Sequence, residues 1–113
     1  MELTNINAQL KTNQYFQETV AQLEKDFFMI GINFDIEKPA PDYKSLFAYT
    51  KKLIDTIHEH NPKLFYNLLY RIDLSEEMVQ ERMKTSILSF TEMLAELIVK
   101  RELYKVVLRK NIS

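Results

Sequence analysis

The stretch Ser75–Lys110, SEEMVQERMKTSILSFTEMLAELIVKRELYKVVLRK, decides the fold: it lacks glycine and proline and is apolar at helical spacing throughout. At one residue per 100°, Val79, Met83, Ile87, Phe90, Leu94, Leu97 and Ile98 share a face. Leu88, Ala95, Val99, Leu103 and Val106 define a second apolar face about 120° away. The spacing predicts one unbroken helix, with Ser86 and Ser89 on a solvent-facing flank. Such a helix would run roughly 54 Å at ~1.5 Å per residue. A folded chain of 113 residues has a radius of gyration of only about 13 Å. The helix is too long for its own domain, and the excess must be covered by something.

Two covers are open. Other helices of the same chain can lie on both faces. Alternatively, Val99, Leu103, Val106 and Val107 overhang the bundle and pair with a second subunit, with Arg101 and Lys105 at the rim. Soluble monomers rarely leave such a patch bare, and a two-fold homodimer is the commonest remedy.

Upstream, Ile6, Leu10, Phe16, Val20, Leu23, Phe27 and Ile30 step along one face of a first helix starting between Thr4 and Thr12. Gly31 follows where a left-handed C′ position suits glycine. Asn33–Asp42, with Pro39 and Pro41, reads as an extended connection pinned by Phe34 and Ile36. Asp42 is a good N-cap for a second helix, Tyr43–His60, and Asn61-Pro62 ends it and starts a third, Lys63–Ile72. Asp73 or Ser75 caps the last helix, Asp73 having capping-box spacing to Glu76. Arg71 and Arg82 can brace this corner. The expected fold is all-α: a single helical-bundle domain over residues 1–113, with three long helices and one short one.

Composition narrows the function. One glycine leaves no material for phosphate-cradling or dinucleotide loops, and the absence of cysteine removes thiol nucleophiles, disulfides and thiolate zinc sites. Met1–Leu10 has no signal-peptide pattern, and the longest apolar run, Phe27–Ile32, is far below the roughly twenty residues of a membrane span. A cytoplasmic protein is expected. His58 and His60, two apart on a helix, point to different sides. Asp55 with His58, or Glu92 with Glu96, makes only part of a bundle metal site. No metal, cofactor or catalytic set is expected.

The net charge of −1 is unevenly spread. Residues 1–42 hold seven acids and three bases; residues 99–113 hold one acid and five bases. Arg101, Lys105 and Arg109 form a ladder one turn apart. It can complement the helix dipole and pair with Glu18, Glu24 or Asp26, or it can hold a nucleic-acid backbone. The acidic start Glu76, Glu77 and Glu81 argues against a recognition helix.

At Lys63–Asp73 (KLFYNLLYRID), followed by Ser75-Glu76, and at Leu94–Val106 (LAELIVKRELYKV), the chain resembles a family of small uncharacterised all-helical proteins from Bacteroidetes-type bacteria. That family carries no assigned activity, so the resemblance implies a bacterial cytoplasmic setting and transfers no site residues. The function expected is a non-catalytic protein–protein interaction or structural module, homodimeric through Val99, Arg101, Leu103, Lys105, Val106 and Val107. The alternative is a nucleic-acid-associated regulator using the basic helix end. A small ligand held between helices by Met29, Met78, Met83 and Met93 is a third reading.

Overall fold

The structure, a computed structural model, describes residues 13–36 and 42–112. Among them are five helices and no strand: α1 (Asn13–Met29), α2 (Tyr43–His60), α3 (Pro62–Ile72), α4 (Glu76–Thr85) and α5 (Phe90–Ile112). Ile6, Leu10, Pro39 and Pro41, and the expected start of the first helix, lie outside the described residues.

The single long helix is corrected to two. Ser86 leaves helical geometry (φ −83°, ψ 138°), while its N–H closes α4 on the Arg82 carbonyl. Its Oγ then accepts from the Leu88 N–H at 3.1 Å. Three residues on, Ser89 Oγ accepts from the Glu92 N–H (3.3 Å) and donates to Glu92 Oε1 (2.9 Å). Ser89-Phe-Thr-Glu92 is thus a capping box in the sequence itself, and the first backbone bond of α5 runs from Met93 N–H to Ser89. Neither serine lies mid-helix. The break lets α4 fold back, burying Val79 and bonding Arg82 to Glu96 at 3.2 Å. Ile87, at the corner, is fully exposed; nothing in the structure explains its apolar side chain.

The length mismatch disappears with the break. The 23 residues of α5 span roughly 35 Å, and the molecule measures 34 × 30 × 26 Å. Helix α5 is the central element, packed by α1, α2, α3 and α4. Met93, Leu94, Ala95, Ile98, Val99, Leu103 and Val106 are all buried, as befits a helix apolar on most sides.

Local signals upstream hold. Asp42 accepts from the Ser45 N–H at 2.8 Å, and Asn61 from the Leu64 N–H at 3.1 Å with Pro62 in the first turn. Gly31 has φ 84° and forms a Schellman motif: Ile32 N–H bonds the Phe27 carbonyl, Gly31 N–H that of Phe28. Phe34 pins its loop, stacking at 5.2 Å from Phe27 and 4.9 Å from Tyr49, whose hydroxyl accepts from the Asp35 N–H. The α3–α4 corner repeats the Schellman pattern with Asp73 in the left-handed position (φ 69°), so Ser75 caps α4 by accepting from the Met78 N–H.

Candidate functional site

The residues expected to meet a second subunit are largely covered by their own chain. Val99, Leu103 and Val106 have no exposed surface, and Val107 packs, half-buried, against the core. The overhang is corrected: this part of α5 is the inner face of the bundle, filled because α1 lies along it.

The basic ladder is engaged internally. Arg101 donates to Asp73 Oδ2 at 2.9 Å and lies over the Tyr104 ring at 5.7 Å. Lys105 Nζ is 3.3 Å from Asp26 Oδ2 and 2.9 Å from Glu102 Oε1. Arg109 donates to Gln22 Oε1 at 3.1 Å, and Lys110 pairs with Glu18 at 2.9 Å. The acidic first helix complements the basic last one, as the charge distribution allows. Arg71, placed at the corner by its sequence, instead reaches across to Asp26 Oδ1 at 3.1 Å.

These contacts converge on a buried charge cluster linking α1, α3 and α5. Asp26 is almost fully buried and accepts from Arg71, Lys105 and Gln22. Burial alone would raise its pKa. The neighbouring Glu102 carboxyl, the hydrogen bond from Gln22 and the charge of Lys105 outweigh burial and hold the carboxyl below its ordinary value. Glu102 has no exposed surface. Its carboxyl is pushed up to about 9, first by burial and then by the neighbouring Asp26 carboxylate, against the pull of Lys105. The sequence carries a signal for Glu102. It occupies a stripe position between Val99 and Val106, as Asp26 does between Leu23 and Ile30. Ionisable residues at core spacing on two helices, with a lysine one turn from one of them, mark such a cluster.

The sequence's partial metal sets are occupied otherwise. Asp55 pairs with Lys51 at 2.8 Å and Glu96 with Arg82, while His58 packs on Phe65 and Phe90 at 5.0 and 5.3 Å. No described group of three or more acidic, histidine or cysteine residues is arranged around a metal position. No described helix is long and apolar enough to cross a membrane.

One exposed apolar surface lies away from α5. Met29, Ile30, Asn67, Tyr70 and Arg71 line an open cleft of about 540 Å³ between the C-terminal ends of α1 and α3. Tyr70 is 88% exposed and Met29 58%. Tyr66, one turn before Tyr70 on the same side of α3, is exposed as well. Among the described residues of that lining Arg71 carries the charge, and it is ion-paired with Asp26, which it shares with Lys105. Met93 is a core residue; Met78 and Met83 are half-exposed on α4, so the four methionines do not form one ligand site. Compared with known proteins, the chain matches no protein family, no curated protein and no solved structure.

Proposed function

We propose that the chain is a non-catalytic interaction module that self-associates through the α1–α3 face rather than through α5. The observation that carries this reading is the cleft, with Tyr70 and Met29 standing exposed beside Asn67 and an ion-paired Arg71. Tyrosine, methionine and arginine are the side chains enriched where proteins meet, and large aromatics supply most of the binding energy there. Left in water, these side chains forgo the stabilisation that burial would bring. A second copy is the partner the chemistry favours. A two-fold contact places a face against itself, so an unpaired charge would meet its own image, whereas the Arg71 guanidinium in this lining is held in an ion pair with Asp26.

The nucleic-acid reading rested on Arg101, Lys105 and Arg109. All three donate to acceptors within the chain, so using them on a phosphate backbone would require breaking those contacts. That favours the protein-contact reading.

Self-association is tested by following backbone amide resonances as the full chain is concentrated. The expected result is concentration-dependent shifts centred on Met29, Ile30, Asn67 and Tyr70. Spectra that do not change with concentration would overturn the reading. So would shifts confined to other surfaces.

A further inference from the structure

Two carboxyl groups meet in the seam between α1 and α5, where only one ammonium group lies between them. Lys105 Nζ stands 2.9 Å from Glu102 and 3.3 Å from Asp26. Asp26 has other support: Arg71 Nε at 3.1 Å on one oxygen and Gln22 Nε2 at 3.2 Å on the other. Glu102 has none. Both of its oxygens are shut off from solvent, and neither accepts a hydrogen bond in good geometry, Lys105 included. Among the described residues, other cations of α5 pair elsewhere: Arg109 with Gln22, Arg101 with Asp73, Lys110 with Glu18. The charges that act most strongly on Glu102 are those of Asp26 on α1 and of Lys105 on its own helix.

An unsupported buried carboxylate beside a supported one is the arrangement that two acids avoid by sharing a proton. We propose that Glu102 holds a proton at neutral pH and donates it in a hydrogen bond to Asp26, making the α1–α5 seam a latch released by alkali. Release is a simple deprotonation. Hydroxide takes the Glu102 proton to form water, leaving two buried carboxylates with Lys105 alone between them. Their repulsion acts directly on α1, through Asp26, and on α3, through Arg71. Because Arg71 also lines the α1–α3 cleft, the latch and that surface share a side chain. The latch rests on the seam geometry alone and stands whether or not the chain self-associates.

The raised Glu102 pKa accords with this geometry and sets the window, its folded value being about 9 against an ordinary glutamate value of about 4.3. The test is a carbon-13 NMR titration of side-chain carboxyls in the intact protein, with Glu102 assigned by its disappearance in Glu102→Gln. The expected result is a Glu102 midpoint well above neutrality, with seam amides of α1 shifting along the same curve. A midpoint in the ordinary glutamate range would overturn the proposal. Should Glu102→Gln fail to fold, selective labelling of glutamate carboxyls in the wild-type chain gives the same answer: one late-titrating glutamate supports it, none refutes it.

Discussion

Glu102 is a side chain through which stability depends on pH. Between the ordinary glutamate value and its folded value of about 9, the folded chain binds one more proton at this site than the unfolded chain. Stability from the site is therefore fully present below the unfolded value. It declines as pH rises, by about 1.4 kcal/mol per unit, until the folded carboxyl has ionised. Glutamine imitates the protonated acid without titrating. Glu102→Gln should match the wild type below the unfolded glutamate value, about pH 4, and become progressively the more stable protein as pH rises above it, as read by urea midpoints across the range. Parallel curves would contradict the assignment. Asp26, held below its ordinary value, has the opposite sign: its contribution is present above the unfolded value and is lost as pH falls through the folded one. At the α3–α4 corner, Asp73 occupies a left-handed backbone position, with an ion pair to Arg101 as compensation. The backbone conformation costs a non-glycine residue about 1–2 kcal/mol, and a pair on so exposed a carboxylate returns at most about 1 kcal/mol. Asp73→Gly should consequently stabilise the chain by up to about 1 kcal/mol, seen as a raised urea midpoint with an unchanged slope. The left-handed glycine at Gly31 was legible from the sequence, because glycine announces such a site. Asp73 was not, because its spacing to Glu76 imitates an N-cap while Ser75 actually performs that role.

Helix boundaries depended on which local signal was given priority. Asp42, Asn61-Pro62 and Gly31 each combine a cap or breaker with the end of an apolar period, and each marks a real boundary. At Ser86–Ser89 the two signals conflict. Apolar periodicity continues through the segment, and no glycine or proline interrupts it, but Ser89 and Glu92 have capping-box spacing. The box prevails because a straight rod would carry Val79 away from the core, whereas a corner returns it and lets Arg82 reach Glu96. Removing the Ser89 hydroxyl takes away both the acceptor for the Glu92 N–H and the bond to its carboxylate. Ser89→Ala should cost about 1 kcal/mol, measured by urea denaturation, and should loosen the α4–α5 corner, measured by amide exchange of Leu88–Met93. Val99, Leu103 and Val106 illustrate a different ambiguity. An apolar face reads identically in sequence whether the neighbour is another helix of the same chain or another molecule. Here α1 is the cover. Leu103→Ala should therefore destabilise the chain by about 2–5 kcal/mol while leaving its oligomeric state at a given folded concentration unchanged, as light scattering would show.

At the scale of the whole molecule, α5 acts as the axis on which the other helices are laid, and that arrangement consumes most of what the sequence advertised. The apolar end of the longest helix is core, and the basic ladder is matched by Asp73, Asp26 and Gln22. The all-α class and the acidic-on-basic pairing of the first and last helices were legible because periodicity and charge distribution are properties of the chain alone. The exposed α1–α3 face was not. Tyr66 and Tyr70 sit in a dense aromatic helix whose outer side becomes visible only once Phe65, Leu68, Leu69 and Ile72 are seen to point inward. The proposed contact surface is accordingly Met29, Tyr66 and Tyr70, not the buried face of α5. Sedimentation equilibrium of the wild type and of Tyr66→Ala/Tyr70→Ala, over micromolar to sub-millimolar concentration, tests that claim most directly. The prediction is a monomer–dimer equilibrium in the wild type, weakened about tenfold or more in a double variant that keeps its helical content. A wild type that remains monomeric throughout, or a double variant that dimerises as well as the wild type, would contradict it.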